Sequence, residues 1–314
     1  MRLPALILAS VFAAVPAFAQ SEAPSDAPAE AAVADTSPGV AAVAVRDADP
    51  ALFRLGDKDT TVYLFGTFHL LDGKTSWFDE AVRDAFETAD ELVIETVTPD
   101  PAIVAEIITA RAIDPTGTPL SATMTPGKFE RLVAETAKLG LPAAALEPMD
   151  PWFAAITLVG LQYAKLGLTP ENGADQILRN AAEADGKPVS GLEEFAWQID
   201  LFDTLSEPQQ VAFLEAGLDD LVDLDMMVGA LVEGWNEGDI DTVAALVNDG
   251  FAADAALRDR LLTDRNGNWA DWIEQRLETP GTVFMAVGVG HLAGTGSVQD
   301  QLADRGIETE RVAY

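Results

Sequence analysis

Two apolar stretches set the pattern of the chain. Residues 62–70 and 283–292 are each a run of strand-forming residues that ends in Gly-x-x-His-Leu: Gly66-Thr67-Phe68-His69-Leu70 in the first, Gly288-Val289-Gly290-His291-Leu292 in the second. A continuous apolar run stopped by a glycine predicts a buried strand. After His69, apolar residues at Phe78, Ala81, Val82, Ala85 and Phe86 have the spacing of an amphipathic helix, and Leu92-Val93-Ile94 then predicts a second strand closing on Glu95. After His291 come helix-like residues 298–303, a Gly306 suited to a helix C-terminus, and a last short strand at residues 310–313. Both ends read strand, Gly-x-x-His, helix, strand, as a distant internal duplication would. Only the first closes its second strand on a carboxylate.

The sequence between the two ends is mostly helical in pattern. Helices are predicted over residues 101–112, 126–139, 151–166 and 174–184. The third is apolar on nearly every side, as a core helix packed on the sheet or one lining an apolar groove would be, and Thr125 with Pro126 marks the start of the second. Residues 187–193 predict a short strand that again delivers a glutamate, Glu193. Ser206-Glu207-Pro208-Gln209 has the form of a capping box opening a long helical region to about Gly238. Residues 239–248, 251–262 and 269–277 have helical spacing. The expected fold class is therefore α/β: a central sheet built from two related strand–(Gly-x-x-His)–helix–strand halves, with a largely helical insertion between them.

The first residues read differently. Met1-Arg2, an apolar run at 3–18 and Ala17-Phe18-Ala19 have the form of a secretory signal cleaved after Ala19, the run being short for a spanning helix. Residues 20–48 are rich in Ala, Pro, Ser, Asp and Glu with no aromatic, a composition expected of a disordered linker. This predicts an exported, periplasmic or secreted protein with one domain at 49–314 and no mature membrane anchor.

Charge and composition narrow the partners. With 19 basic and 52 acidic residues the formal charge is −33, the wrong sign for nucleic acid or an anionic membrane surface. No cysteine is present, which excludes a disulfide framework, thiol catalysis and lipid attachment after the signal.

The chain has only two histidines, and both sit in the Gly-x-x-His motifs. First-row divalent metals accept imidazole and carboxylate together, and such a metal lowers the pKa of its water for hydrolysis. His69, His291, Glu95 and Glu193 are the candidates, with Asp175 and Glu147 behind them. Other motifs fail. Residues 264–275 start like a calcium loop but carry Trp269 and Gln275 where glycine and glutamate are needed. The Gly288-x-Gly290 pattern leaves too little chain for a dinucleotide fold, and neither His-Glu-x-x-His nor Gly-x-Ser-x-Gly occurs. The acidic run Asp219, Asp220, Asp223, Asp225 reads as a solvated helix face.

Taken as a set, several of these elements resemble the TraB/GumN family, from about residue 49 to the end. They are 64–70 through His69, Ala89-Asp90-Glu91-Leu92-Val93-Ile94-Glu95, Gly186-Lys187-Pro188-Val189-x-Gly191-Leu192-Glu193, Asp264-Arg265-Asn266, and 287–292 through His291. That family is similar to the Tiki proteins, membrane-tethered metal-dependent peptidases, and more distantly to erythromycin esterases and ChaN-type haem-binding proteins. The resemblance implies an α/β core whose two motifs face each other across a site. It matches His69 and His291 to the motif histidines, Glu95 and Glu193 to the glutamates, and Arg265 and Asn266 to an Arg-Asn pair that would otherwise cap a helix near Trp269.

The implied function is hydrolysis, above all of a peptide bond. A divalent Mn, Co or Zn would be held by His69, His291 and Glu95, a carboxylate such as Glu193 would take the proton of its water, and Arg265 would steady the oxyanion. Glu95 as ligand and Glu95 as base stay equally open. The alternative is a non-catalytic periplasmic binding protein for a peptide, a haem or another small ligand, with Tyr63, Tyr163 and Tyr314 as further axial candidates for haem.

Overall fold

A computed structural model describes residues 45–252 and 254–314. The expected signal at 1–19 and most of the linker at 20–48 lie outside them. The first described strand, β1 (Arg46–Asp47), pairs in parallel with β4 (Thr75–Ser76), and Ala48 beyond it is buried. The described fold thus already includes the last residues of the expected linker.

The main sheet has the order β6-β5-β7-β3-β2-β8, formed by β2 (Leu52–Gly56), β3 (Thr60–Thr67), β5 (Glu91–Thr96), β6 (Val189–Glu193), β7 (Gly281–Gly288) and β8 (Glu310–Arg311). Strands β6, β5, β7 and β3 are parallel neighbours, while β2 runs antiparallel between β3 and β8. The two Gly-x-x-His strands, β3 and β7, are adjacent at the centre. Their near-continuous apolar sequence follows from burial on both faces. Tyr63, Phe65, Leu92, Ile94, Phe284 and Ala286 face one layer; Val62, Leu64, Val93, Val283, Met285 and Val287 face the other.

Helix α1 (Glu80–Thr88) connects β3 to β5 across the first face, where Val82, Ala85 and Phe86 are buried. At the other end of the chain, residues 298–303 form the helix that connects β7 to β8 across the second face, burying Val298 and Leu302. The two connections move in opposite directions on opposite faces, so they share one hand, as parallel crossovers do. The duplication is therefore real in topology but broken in detail. Strand β5 lies against β7, whereas β8 lies beyond β2, a strand that the sequence pattern did not mark.

The insertion comprises α2 (Pro101–Ala112), α3 (Pro126–Lys138), α4 (Pro151–Lys165), α5 (Ala174–Ala184), α6 (Phe195–Asp203), α7 (Glu207–Asp220), α8 (Leu224–Asn236), α9 (Ile240–Phe251) and α10 (Asp264–Arg276), with β6 between α5 and α6. It covers the first face, except for α10, which lies with Trp269, Ala270 and Ile273 on the second. The expected capping box at Ser206 and Gln209 is present. The long helix expected from it is two helices, α7 and α8, broken at residues 221–223. Helix α4 is a core helix, with Trp152 stacked on Phe202 at a centroid distance of 6.0 Å. No helix among the described residues is long and apolar enough to cross a membrane.

Candidate active site

The parallel register sets Thr67 beside Gly288, so the two motifs leave the sheet side by side. Each glycine makes room for the other motif. A Cβ on Gly66 would stand 2.9 Å from Val289 Cγ2, and one on Gly288 would stand 2.9 Å from His69 Nε2 and 3.1 Å from Glu95 Oε1. The Gly66 carbonyl is satisfied from below by the buried indole N–H of Trp235 at 2.7 Å.

Both imidazoles are fixed through Nδ1. His69 Nδ1 donates to Asp175 Oδ2 at 2.6 Å, and the Thr67 hydroxyl donates to the other oxygen of Asp175 at 2.8 Å. Asp175 stands in the first turn of α5, which seats directly on the motif: Ala174 N–H donates to the Phe68 carbonyl, and a Cβ on Gly173 would lie 2.0 Å from the His69 carbonyl oxygen. His291, in a 3-10 turn after β7, donates from Nδ1 to Asn266 Oδ1 at 2.6 Å. Asn266 is itself oriented by its amide, which donates to the Gly296 carbonyl at 2.8 Å. With Nδ1 protonated, His291 Nε2 accepts from Arg265 Nη1 at 3.1 Å. The Nε2 atoms of both rings face the same oxygen, Glu95 Oε1, at 3.9 Å for His69 and 3.7 Å for His291.

Arg265 organises the remainder. Its Nε and Nη2 form a fork on Glu193 at 2.9 and 2.8 Å, Nη2 also donates to Glu95 Oε2 at 2.7 Å, and Nη1 serves the Leu261 carbonyl and His291. All five N–H groups are thereby used, and the guanidinium lies 4.8 Å from the centre of the Trp269 ring. Glu193 also accepts from Trp269 Nε1 and Gln198 Nε2, at 2.9 and 2.8 Å. Arg265 is therefore an anchor between two carboxylates, with no N–H left for an oxyanion, and Glu193 is its saturated counter-ion. The expected helix cap is also replaced. Helix α10 begins at Asp264, directly after the π-helical turn Asp259–Thr263, so Arg265 and Asn266 occupy its first turn.

The charges follow from this packing. Burial would raise the Glu95 carboxyl, but Arg265, the two imidazoles and the Gly288 N–H at 2.7 Å outweigh it and hold Glu95 well below the usual carboxylate range. Burial would lower His69; the Asp175 carboxylate outweighs that and brings it up to about 8. His291 has no such partner, and burial together with Arg265 pushes it down to about 3. Buried Arg265 is raised by Glu95 and Glu193. The centre thus favours the proton on His69 and disfavours it on His291.

A pocket of about 50 Å³ opens beside this centre, lined by His69, Glu95, Thr96, Asp175 and Arg179 among others. Asp175, one of the weaker sequence candidates, belongs to the site. Glu147 does not: its carboxylate accepts the Ser121 N–H on a distant turn. Gln198 and Trp269 were not anticipated. Gln198 follows Glu193 by five positions on α6, and Trp269 follows Arg265 by one helical turn, spacings visible only once those helices and Glu193 are placed together. Among the described residues, no group of three or more His, Asp or Glu side chains is arranged to hold a metal ion as it stands.

A sequence model of the TraB/PrgY/gumN family matches residues 51–311. The chain belongs to this family. The TraB/PrgY/gumN match thus covers both Gly-x-x-His motifs and every residue of the site. Curated relatives include the uncharacterized protein YbaP of Escherichia coli (strain K12) and that of Shigella flexneri, each 25% identical over 240 residues, or 76% of this chain and 87% of YbaP. No solved structure matches the chain.

Proposed function

We propose that the chain is an exported metal-dependent hydrolase, acting on peptide bonds at the His69/Glu95/His291 centre. The observation that carries this reading is the convergence of both Nε2 atoms on Glu95 Oε1, with each Nδ1 held by a second side chain, Asp175 or Asn266. Holding the remote ring nitrogen is how proteins orient imidazole ligands and fix their tautomer. The similarity to Tiki-type peptidases and the signal-like start of the sequence support the hydrolytic and exported parts.

The donor set fits a divalent Mn, Co or Zn in kind: two imidazoles and one carboxylate, around a space that a Cβ on Gly288 would fill. When bound, such a metal polarises a carbonyl and lowers the pKa of its water. Arg265 Nη1 competes for it at His291 Nε2, so the metal and that hydrogen bond exclude each other. The chain's own residues do the rest. Asp175 and Asn266 aim the rings, Arg265, itself held by Glu193, fixes Glu95 Oε2, and Glu95 Oε1, which accepts the Gly288 N–H and faces both Nε2 atoms, would complete the ligand set or receive a water proton. A haem is a poor occupant, since ligand pockets run to roughly 300–1,000 Å³ and this one is far smaller.

Equilibrium binding of Mn²⁺, Co²⁺ and Zn²⁺ to the chelator-treated protein, beside a folded H69A/H291A double variant, tests the reading. Saturable binding near one ion per chain that the variant loses supports it. Equal or absent binding in both proteins overturns it.

A further inference from the structure

We propose that the pocket beside His69 takes the terminal carboxylate of the substrate, on Arg179, so that the bond presented to the centre is the last one of a peptide or acyl-amino acid. The inference rests on the hydrolase reading and deepens it.

The argument is an inventory of what the pocket wall still has to offer. Its two carboxylates are already met, Glu95 by Arg265 and the Gly288 N–H, Asp175 by His69 and Thr67. The remaining capacity is for donation. Arg179 uses Nε on Glu183 at 2.9 Å and reaches the Thr98 carbonyl with Nη1 only at 3.5 Å, and Nη2 has no hydrogen-bond partner among the described residues. The hydroxyl oxygen of Thr96 is buried and has no partner among them either. A guanidinium edge matches a carboxylate in shape and charge.

The overall charge of −33 repels anions, so selection of a carboxylate must come from a local cation; of the two basic side chains on this wall His69 is already held by the Asp175 carboxylate, which leaves Arg179. The wall it shares with His69 and Glu95 places the adjacent acyl group on their side. Volume adds to this: about 50 Å³ accommodates a small terminus, not a chain passing through. In the reaction the oxygen of water bonds to the acyl carbon, the C–N bond breaks, and a water proton leaves on the amine of the released amino acid.

The test is binding of N-acetylalanine and of its amide to the full chain and to R179Q and R179K, followed by calorimetry or ligand-observed NMR, with circular dichroism to verify folding. The acid is expected to bind saturably and the amide at least about tenfold more weakly, one lost charge-assisted pair being worth that much. R179Q should reduce the acid to the level of the amide, and R179K should recover part of the difference. Equal binding of acid and amide, an acid affinity untouched by R179Q, or no saturable binding of the acid overturns the subsite. Turnover is read separately. A protein that discriminates acid from amide but hydrolyses nothing keeps the subsite and loses the hydrolase reading, whereas one that cleaves C-terminally blocked and free peptides equally well loses the subsite alone.

Discussion

Gly288 is a glycine because His69 occupies the place of its side chain: the missing Cβ would stand 2.9 Å from His69 Nε2. Its φ of −51° is open to any residue, so the constraint is steric and not conformational. Gly288→Ala is expected to push His69 and Glu95 apart. The cost should be about 1–3 kcal/mol of stability, as for other overpacked sites, with a loss of metal affinity larger than that of any remote glycine variant. Urea denaturation and metal titration on the same preparation check both.

Arg265→Met leaves Glu95 and Glu193 buried without their cation. Breaking a buried pair in this way costs about 3–5 kcal/mol. Arg265→Lys keeps the charge but not the fork, and should recover only part. Adding Glu95→Gln and Glu193→Gln to Arg265→Met should restore much of the stability, because no uncompensated charge then remains. Urea midpoints of these proteins and of Glu95→Gln/Glu193→Gln with Arg265 intact decide it; additivity of the substitutions would contradict the picture of one coupled centre.

The two histidines give opposite pH dependence in the metal-free protein. His69 is raised from 6.5 to about 8 when folded, so its stabilisation is complete below about 6.5 and lost as pH rises through about 8. That displacement corresponds to about 2 kcal/mol. His291 is depressed from 6.5 to about 3, so the unfolded chain takes up a proton that the native chain refuses, and stability falls as pH drops below about 6.5. Only two histidine ring signals exist to follow by NMR. One should titrate near pH 8, and the other should stay neutral down to the acid transition.

Asp175→Asn removes the group that lifts His69. Burial then dominates, and the His69 midpoint should fall below 6.5, abolishing the alkaline loss of stability. Removing the partner of a ligating imidazole typically costs 10–100-fold in metal affinity, and about that loss is expected here. NMR titration separates this effect from a general loss of fold, since His291, held by Asn266 and depressed chiefly by burial and Arg265, should keep its low midpoint.

Much of the architecture was legible locally. Helices α2 and α5 and the helix at residues 298–303 span the residues their spacing predicts, and β3, β5, β6 and β7 lie where apolar runs close on glycine or glutamate. Periodicity and apolar continuity are properties of neighbouring residues, so the sequence carries them directly. Elements with weak local preference were missed. Strand β2 is five residues with an arginine at its centre, and the start of α10 carries Asn266, Gly267 and Asn268, poor helix formers that its tertiary contacts hold in place.

The sequence by itself determined that two Gly-x-x-His turns exist, which residue types they offer, and that a glutamate ends each of two further strands. Only the tertiary structure decided what those groups do to one another. The bonds from Arg265 to Glu95 and Glu193 span 170 and 72 positions, and that from His69 to Asp175 spans 106. Through them His69 is raised and His291 depressed, and Arg265 becomes an anchor instead of an oxyanion donor. The physical reason is that charge state and hydrogen-bond saturation depend on burial and on partners brought across the sheet by packing, and no local pattern along the chain encodes either.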